Sequence, residues 1–141
     1  MDKNLAVTCS SIAAKQIVDQ FENQSSEKWS VLYLNHEGKP VEVRDVEGCF
    51  ESTAAGVKQI TRIALDNDCL GIVIAHNHIG RSVVPDNKDV VITAHLRDVL
   101  RNFNISLMDH LVFDGNASTY YSFADERIEK VLQIETESLS L

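Results

Sequence analysis

Apolar residues recur along this chain with two periods, about 3.6 and about 2, and the switches between them predict its elements. Ala14, Ile17, Val18 and Phe21 share one helix face, with Ser10 and Ser11 placed to cap its start, and that helix is expected to end near Asn23. Residues 29–35 read as a strand, and 36–39 as a turn in which Gly38 supplies the left-handed position. Residues 41–46 alternate apolar and charged, as a half-exposed hairpin partner does. A loop is expected at 48–51. A second helix follows over 53–66, with Val57, Ile60, Thr61 and Ala64 inward and Lys58, Arg62 and Asp66 outward. Residues 70–75 are an unbroken apolar run rich in Ile and Val, the signature of a buried strand. The pattern over 87–102 predicts a helix that buries Val91, Ala94, Leu96, Val99 and Phe103 in some combination. Residues 105–113 and 119–123 read as strands, 124–134 as a final helix, and 135–141 as a frayed tail. Helices and strands alternate with no internal repeat and no domain boundary, so the expected fold is a single α/β domain over residues 1–141.

The buried strand delivers the chain's most informative segment, Ala75-His76-Asn77-His78. Side chains two apart on a strand point to the same side, so His76 and His78 can close on one ion. Pro85-Asp86 has the form of a helix start, which puts Asp89 in the first turn of the next helix. Two imidazoles and a carboxylate, with a fourth position open, make the ligand set of a catalytic zinc rather than a structural one. A His-x-His pair alone reads better as two histidines at a strand end, one bonded to a carbonyl and one in water; the Asp on the following helix brings the metal reading level with it.

Composition narrows the classes. Hydrophobic residues are 44% and charged residues 24%, as in ordinary globular domains, and no apolar run approaches membrane-spanning length. Met1-Asp2-Lys3-Asn4 has no basic region followed by an apolar stretch, so no signal peptide is expected. Cys9, Cys49 and Cys69 are odd in number and far apart, which argues against a disulfide framework or a cysteine zinc site and fits a cytoplasmic protein. The net charge is -8, and no cluster of Lys and Arg interleaves with aromatics, so nucleic acid is disfavoured as a partner.

A general base must stand beside such a metal, and Asp and Glu are too abundant for composition to choose one. Here the chain resembles a known family. The segment Glu27-Lys28-Trp29-Ser30-Val31-Leu32-Tyr33-Leu34-Asn35 is similar to the Glu-x-aromatic-x-x-Leu-x-Leu-Asn strand of the RadC-like JAB domains, within the JAMM (MPN) metalloprotease superfamily. His76-Asn77-His78 matches that family's His-Asn-His, and Pro85, Asp86 and Asp89 fall on its Pro-Ser-x-x-Asp. Leu107-Met108-Asp109-His110-Leu111 resembles its Leu-Asp-His-Ile strand, and 120–126 the ending of its bacterial members. The resemblance covers roughly residues 10–130, with the parts in the family's order. It implies a mixed sheet flanked by helices in the deaminase-like JAMM arrangement. It also implies zinc held by His76, His78 and Asp89, and Glu27 as the base. RadC proteins usually carry an N-terminal helix-hairpin-helix region, for which no room is expected ahead of this domain.

The chain departs from the family's pattern in three respects. His-Asn-His-Pro-Ser-Gly becomes His-Asn-His-Ile79-Gly80-Arg81, losing a rigid Pro and gaining a cation. The family's Ser, three residues before the metal Asp, is Asp86. Asp caps a helix as well as Ser does, but an ionised carboxylate cannot donate to an oxyanion and would repel it. Ser82 lies out of register to replace it. Among the remaining polar residues, Asp109 and His110 alternate along one strand; one of them is expected to hydrogen-bond behind the metal ligands or within the core, and structural packing is the first expectation for both. His95 falls about 240° around the helix from Asp89 and is not expected as a ligand; His36 belongs to a turn and Trp29 to the core.

The sequence therefore points first to a zinc hydrolase acting on a peptide, isopeptide or other amide bond, with a protein or peptide substrate and no membrane. The alternative is a catalytically weak binding or scaffold module, linked to DNA repair only through the family name. A zinc nucleoside deaminase would need His-x-Glu and Pro-Cys-x-x-Cys, and the chain has neither.

Overall fold

The structure, a computed structural model, describes residues 1–47 and 53–131. In chain order it forms helix α1 (Ser10–Ile17), a 3-10 turn (Val18–Phe21), strands β1 (Trp29–Leu34) and β2 (Pro40–Asp45), helix α2 (Thr53–Asp66), strand β3 (Gly71–Asn77), helix α3 (Asn87–Arg101), and strands β4 (Ser106–Phe113), β5 (Thr119–Ser122) and β6 (Arg127–Lys130). The six strands make one sheet in the order β2-β1-β3-β4-β5-β6. The β3–β4 pair is parallel and the other four pairs are antiparallel, so the sheet is mixed. The parallel pair needs a crossover, and α3 supplies it.

Alternation along the central strands divides the interior into two layers. Leu32, Leu34, Val73, Ala75, Leu111 and Phe113 pack with Ala14, Ile17 and Phe21 of the first helical segment. Val31, Tyr33, Ile72 and Ile74 pack on the other face with Val57, Ile60 and Ala64 of α2 and Ile92, Leu96 and Leu100 of α3. All seven residues of β3 are buried, as expected for a strand covered on both sides. The even-numbered residues of β3 face α2 and α3, and this parity decides where His76 points. A register shift in the β3–β4 pairing, between Ile72/Val73, sets His110 beside Ile74 on that same face and Asp109 beside Val73 on the other.

Several expectations need correction. No final helix forms over the described part of 124–134: residues 127–130 are β6, paired antiparallel with β5. The backbone N–H groups of Ala124, Asp125 and Glu126 are bonded to Asp109, the Ser122 hydroxyl and the Ser122 carbonyl, which closes a turn instead of starting a helix. Glu126 stands at φ 55, a left-handed position. The first helix is capped at Cys9 without a side-chain bond, because the Ser10 hydroxyl is 2.5 Å from Asp125 Oδ2 and 3.2 Å from Tyr120 Oη. On α3 the buried positions are Asp89, Ile92, Leu96 and Leu100; of the residues expected inside, Val91 and Phe103 are exposed. Leu70 precedes β3 and is also exposed. The expected loop at 48–51 and tail at 135–141 lie outside the described residues. Gly38 does turn the β1–β2 hairpin, at φ 76.

Candidate metal centre

His76 and His78 leave β3 on the face toward α3, and α3 begins directly opposite them. Its start is a reciprocal capping box: Asp89 N–H donates to Asp86 Oδ1 at 2.9 Å, and Asp86 N–H donates to Asp89 Oδ2 at 3.1 Å. The box aims the Asp89 carboxylate back at the strand end. Asp89 Oδ1 lies 3.3 Å from His76 Nε2 and Asp89 Oδ2 lies 3.3 Å from His78 Nε2. The two Nε2 atoms are 3.0 Å apart. All three residues are buried, and their ligand atoms lie within 4.8 Å of one another, so this group could hold a metal ion.

The partners of each ring fix which nitrogen is free. His78 Nδ1 is 2.5 Å from the Ser82 carbonyl oxygen, which can only accept, so Nδ1 carries the proton and Nε2 keeps its lone pair. For His76 the deduction starts further back. The Thr93 hydroxyl donates to the Asp89 carbonyl at 2.7 Å, so its oxygen accepts from His110 Nδ1 at 2.6 Å. His110 Nε2 is then an acceptor, and His76 Nδ1, 2.8 Å away, is its donor. His76 Nε2 is thereby left as a lone pair. Two bare nitrogens and a carboxylate facing one another in a buried space repel unless a cation sits among them. The donor set fits a divalent ion with imidazole and carboxylate ligands.

Charges follow burial and contact. Burial pushes the His76 imidazolium pKa down, against the opposing pull of Asp89. Burial, reinforced by the neighbouring His76, pushes that of His110 well below its ordinary value. Both effects favour the neutral rings that metal ligation requires. Burial works against ionised Asp89; the opposing pull comes from His76 when that ring is protonated and from the Asp86 N–H, and it holds the carboxyl well below the usual carboxylate range. Trp29 pairs with His76 across β1 and β3 and stacks on its ring, centroids 4.0 Å apart and planes at 13°. Phe123 stacks on His110 at 4.4 Å.

Glu27 lies two residues before Trp29, on a segment held by Asn77. Lys28 N–H donates to Asn77 Oδ1 at 2.7 Å, and Asn77 Nδ2 donates to the Ser26 carbonyl at 3.3 Å. The residue between the two histidines thus anchors the chain that carries Glu27. Glu27 Oε2 accepts from Ile79 N–H at 3.2 Å and from Arg81 Nε at 3.1 Å, and Oε1 accepts from Arg81 Nη2 at 2.7 Å. The Arg81 hydrogen bond holds Glu27 below its ordinary pKa, although burial opposes it. Arg81 Nη1 also reaches Asp86 Oδ2 at 3.2 Å. Asp86 is therefore the helix cap expected of it, and its charge is met by a guanidinium.

Asp109 does not join this group. It is buried on the α1 side, accepting from the Ser122 hydroxyl at 2.7 Å, Ala124 N–H at 3.0 Å and its neighbour His110 N–H at 2.7 Å. Of this pair, only His110 stands behind the metal group. His95 and His36 are exposed, and His95 lines an α2–α3 groove with Val57, Thr61, Leu65, Val99 and Phe103 that includes none of the metal group. The sequence gives no role to Asn77 or Thr93, and it shows Arg81 only as an added cation. Thr93, one turn beyond Asp89, carries a readable signal, since i and i+4 share a helix face. Among the described residues, no helix is long and apolar enough to cross a membrane.

Comparison with known proteins agrees with this architecture. A UPF0758 protein of Porphyromonas gingivalis is 30% identical over 127 residues, covering 89% of this chain and 56% of that protein. A UPF0758 protein of Neisseria meningitidis serogroup C is 31% identical over 93 residues, 65% of this chain and 40% of that protein. The UPF0758 protein YeeS of Escherichia coli is 27% identical over 125 residues, 88% of this chain and 83% of that protein. The chain thus spans about half the length of the Porphyromonas relative and most of YeeS. Residues 7–128 match the model of the RadC-like JAB domain, and with the mixed sheet and the His-His-Asp group in place, the chain belongs to that family.

Proposed function

We propose that this chain is a zinc-dependent hydrolase of the JAMM type, acting on a peptide, isopeptide or other amide bond. The observation that carries the reading is the convergence of two lone-pair nitrogens and a carboxylate, at 3.0 to 3.3 Å, with Glu27 held beside them by Ile79. Zinc bound there would acidify a water molecule and polarise a carbonyl. Glu27 takes the proton from the attacking water and passes it to the nitrogen of the breaking C–N bond as the new C–O bond forms. The Ser82 carbonyl and the Thr93–His110 pair hold the two imidazoles in their ligating tautomers, and Trp29 covers one face of His76.

One feature favours the scaffold alternative: all three acceptor contacts of Glu27 are spent on Arg81 and Ile79, so the base is partnered rather than waiting. Zinc content and hydrolysis of peptide and isopeptide substrates, measured for wild type and Glu27→Gln, separate the readings. Loss of turnover with zinc retained in the variant supports the hydrolase. Full zinc occupancy without turnover in the wild type supports a scaffold. A net charge of -8 gives no support to direct DNA contact. The free thiols of Cys9 and Cys69 are compatible with the proposed cytoplasmic setting.

A further inference from the structure

The segment that follows β3 bends at Gly80, whose φ of 69 is left-handed and whose Cβ position is open. The bend returns Arg81 over the end of the strand. There its guanidinium spans two carboxylates from distant parts of the chain, Glu27 ahead of β1 and Asp86 at the start of α3. Each anchor adjoins the metal group. Glu27 is tied to Ile79, next to His78, and Asp86 is tied to Asp89 through the capping box. Arg81 therefore links the segment ahead of β1 to the start of α3, beside residues that flank the metal group.

A guanidinium carries five N–H donors. Three are engaged here, Nε and one each on Nη1 and Nη2, so two remain without a partner among the described residues. The Arg81 side chain is 43% exposed, so the outer edge of the fork is open to an incoming group. Asp86 has one oxygen on Asp89 N–H and the other on Arg81, which makes it an anchor for the fork.

We propose that Arg81 is a catalytic residue of this centre, donating its two remaining N–H groups to the substrate carbonyl oxygen as that oxygen becomes an oxyanion. Asp86 serves as the anchor that holds the fork in place. The proposal rests on the hydrolase reading above. A guanidinium brings a full positive charge to an oxyanion, which a neutral hydroxyl does not, and its planar fork presents the N–H groups in fixed directions. An arginine clamped on both sides is thus suited to meet charge that appears only during the reaction.

The test uses zinc-loaded protein and methylphosphonate, a tetrahedral anion shaped like the adduct, titrated by calorimetry with zinc affinity measured in parallel. Arg81→Ala should weaken methylphosphonate binding at least tenfold while zinc affinity stays within twofold of wild type. Arg81→Lys keeps the charge without the fork and should fall between the two. Adding Asp86→Ser to Arg81→Ala should recover part of the loss, because it removes an unpaired carboxylate and restores a hydroxyl donor. Equal binding by wild type and Arg81→Ala would overturn the proposal. So would a loss of anion binding that tracks a loss of zinc, or a zinc-loaded wild type that ignores methylphosphonate. Should Arg81→Ala not fold, Arg81→Lys decides alone, and wild-type affinity in it overturns the fork. A wild type that takes up no zinc overturns the hydrolase reading itself, and the role of Arg81 with it.

Discussion

His76 Nδ1 lies 2.8 Å from His110 Nε2, so the orientation of a candidate ligand on β3 is set by a residue on β4. The chain of bonds does not stop there. It runs through the Thr93 hydroxyl to the Asp89 carbonyl, which belongs to the other kind of ligand. Metal-binding histidines generally need such a partner, and its loss typically costs 10- to 100-fold in affinity. Thr93→Val keeps the shape and removes the acceptor for His110 Nδ1. We expect zinc affinity, read by chelator competition, to fall about 10- to 100-fold, and Thr93→Ser to restore it. Unchanged affinity in the valine variant would detach His110 from the tautomer of His76.

Zinc should stabilise the fold, because unfolding disperses ligands drawn from β3 and α3. At free zinc about 100 times the dissociation constant, the linkage adds about 2.7 kcal/mol. Thermal unfolding of wild type should shift upward with zinc. His78→Ala and Asp89→Asn should show little shift, since each leaves two ligands. A comparable zinc-induced shift in either variant would place the ion elsewhere.

The parts of this protein that can be read from its sequence are those where a residue's own neighbours decide its environment. Residues 71–75 are apolar apart from a glycine, and the whole of β3 is buried, so no alternative face competes. His76 and His78, two apart, must share a face whatever the rest of the fold does. The failures occur where distant contacts choose. Residues 124–131 carry good helix formers, Glu126, Arg127, Glu129 and Lys130, yet the free edge of β5 claims their backbone. The buried face of α3 is the one in line with Asp89, and a periodicity that ignores this buried carboxylate selects Val91, which is exposed. The pairing of Glu27 with Arg81 spans 54 residues, and only the β1–β3 register brings the two together.

Asp86 has two loads that substitution can separate. Its Oδ1 caps α3 and its Oδ2 holds Arg81. Asp86→Ala removes both, and loss of the cap alone costs about 1 kcal/mol. The Arg81 contact is largely exposed and adds little to stability. Asp86→Ser retains a cap oxygen, so it should unfold within a few tenths of a kcal/mol of wild type, while Asp86→Ala unfolds at lower denaturant. If Ser and Ala destabilise equally, the cap is not what Asp86 contributes.

Asp109 offers a test of electrostatics away from the metal. Burial pushes its carboxyl pKa up, and three hydrogen bonds only partly oppose that push. A carboxyl whose folded value is raised binds its proton more readily when folded. Its contribution to stability is therefore fully present below the unfolded value, near 3.9, and is lost as pH rises through the folded value. Asp109→Asn removes this titration. It also costs something at every pH, because the amide nitrogen cannot accept from the Ser122 hydroxyl and the serine must turn. The informative quantity is thus the slope and not the sign of the difference. In urea unfolding between about pH 3.5 and pH 7, the stability of wild type relative to Asp109→Asn should decline as pH rises, by about 1.4 kcal/mol for every tenfold by which folding tightens the hold on the proton. A difference that is flat, or that grows with pH, would mean that the three donors outweigh burial and that Asp109 is held ionised in the folded protein.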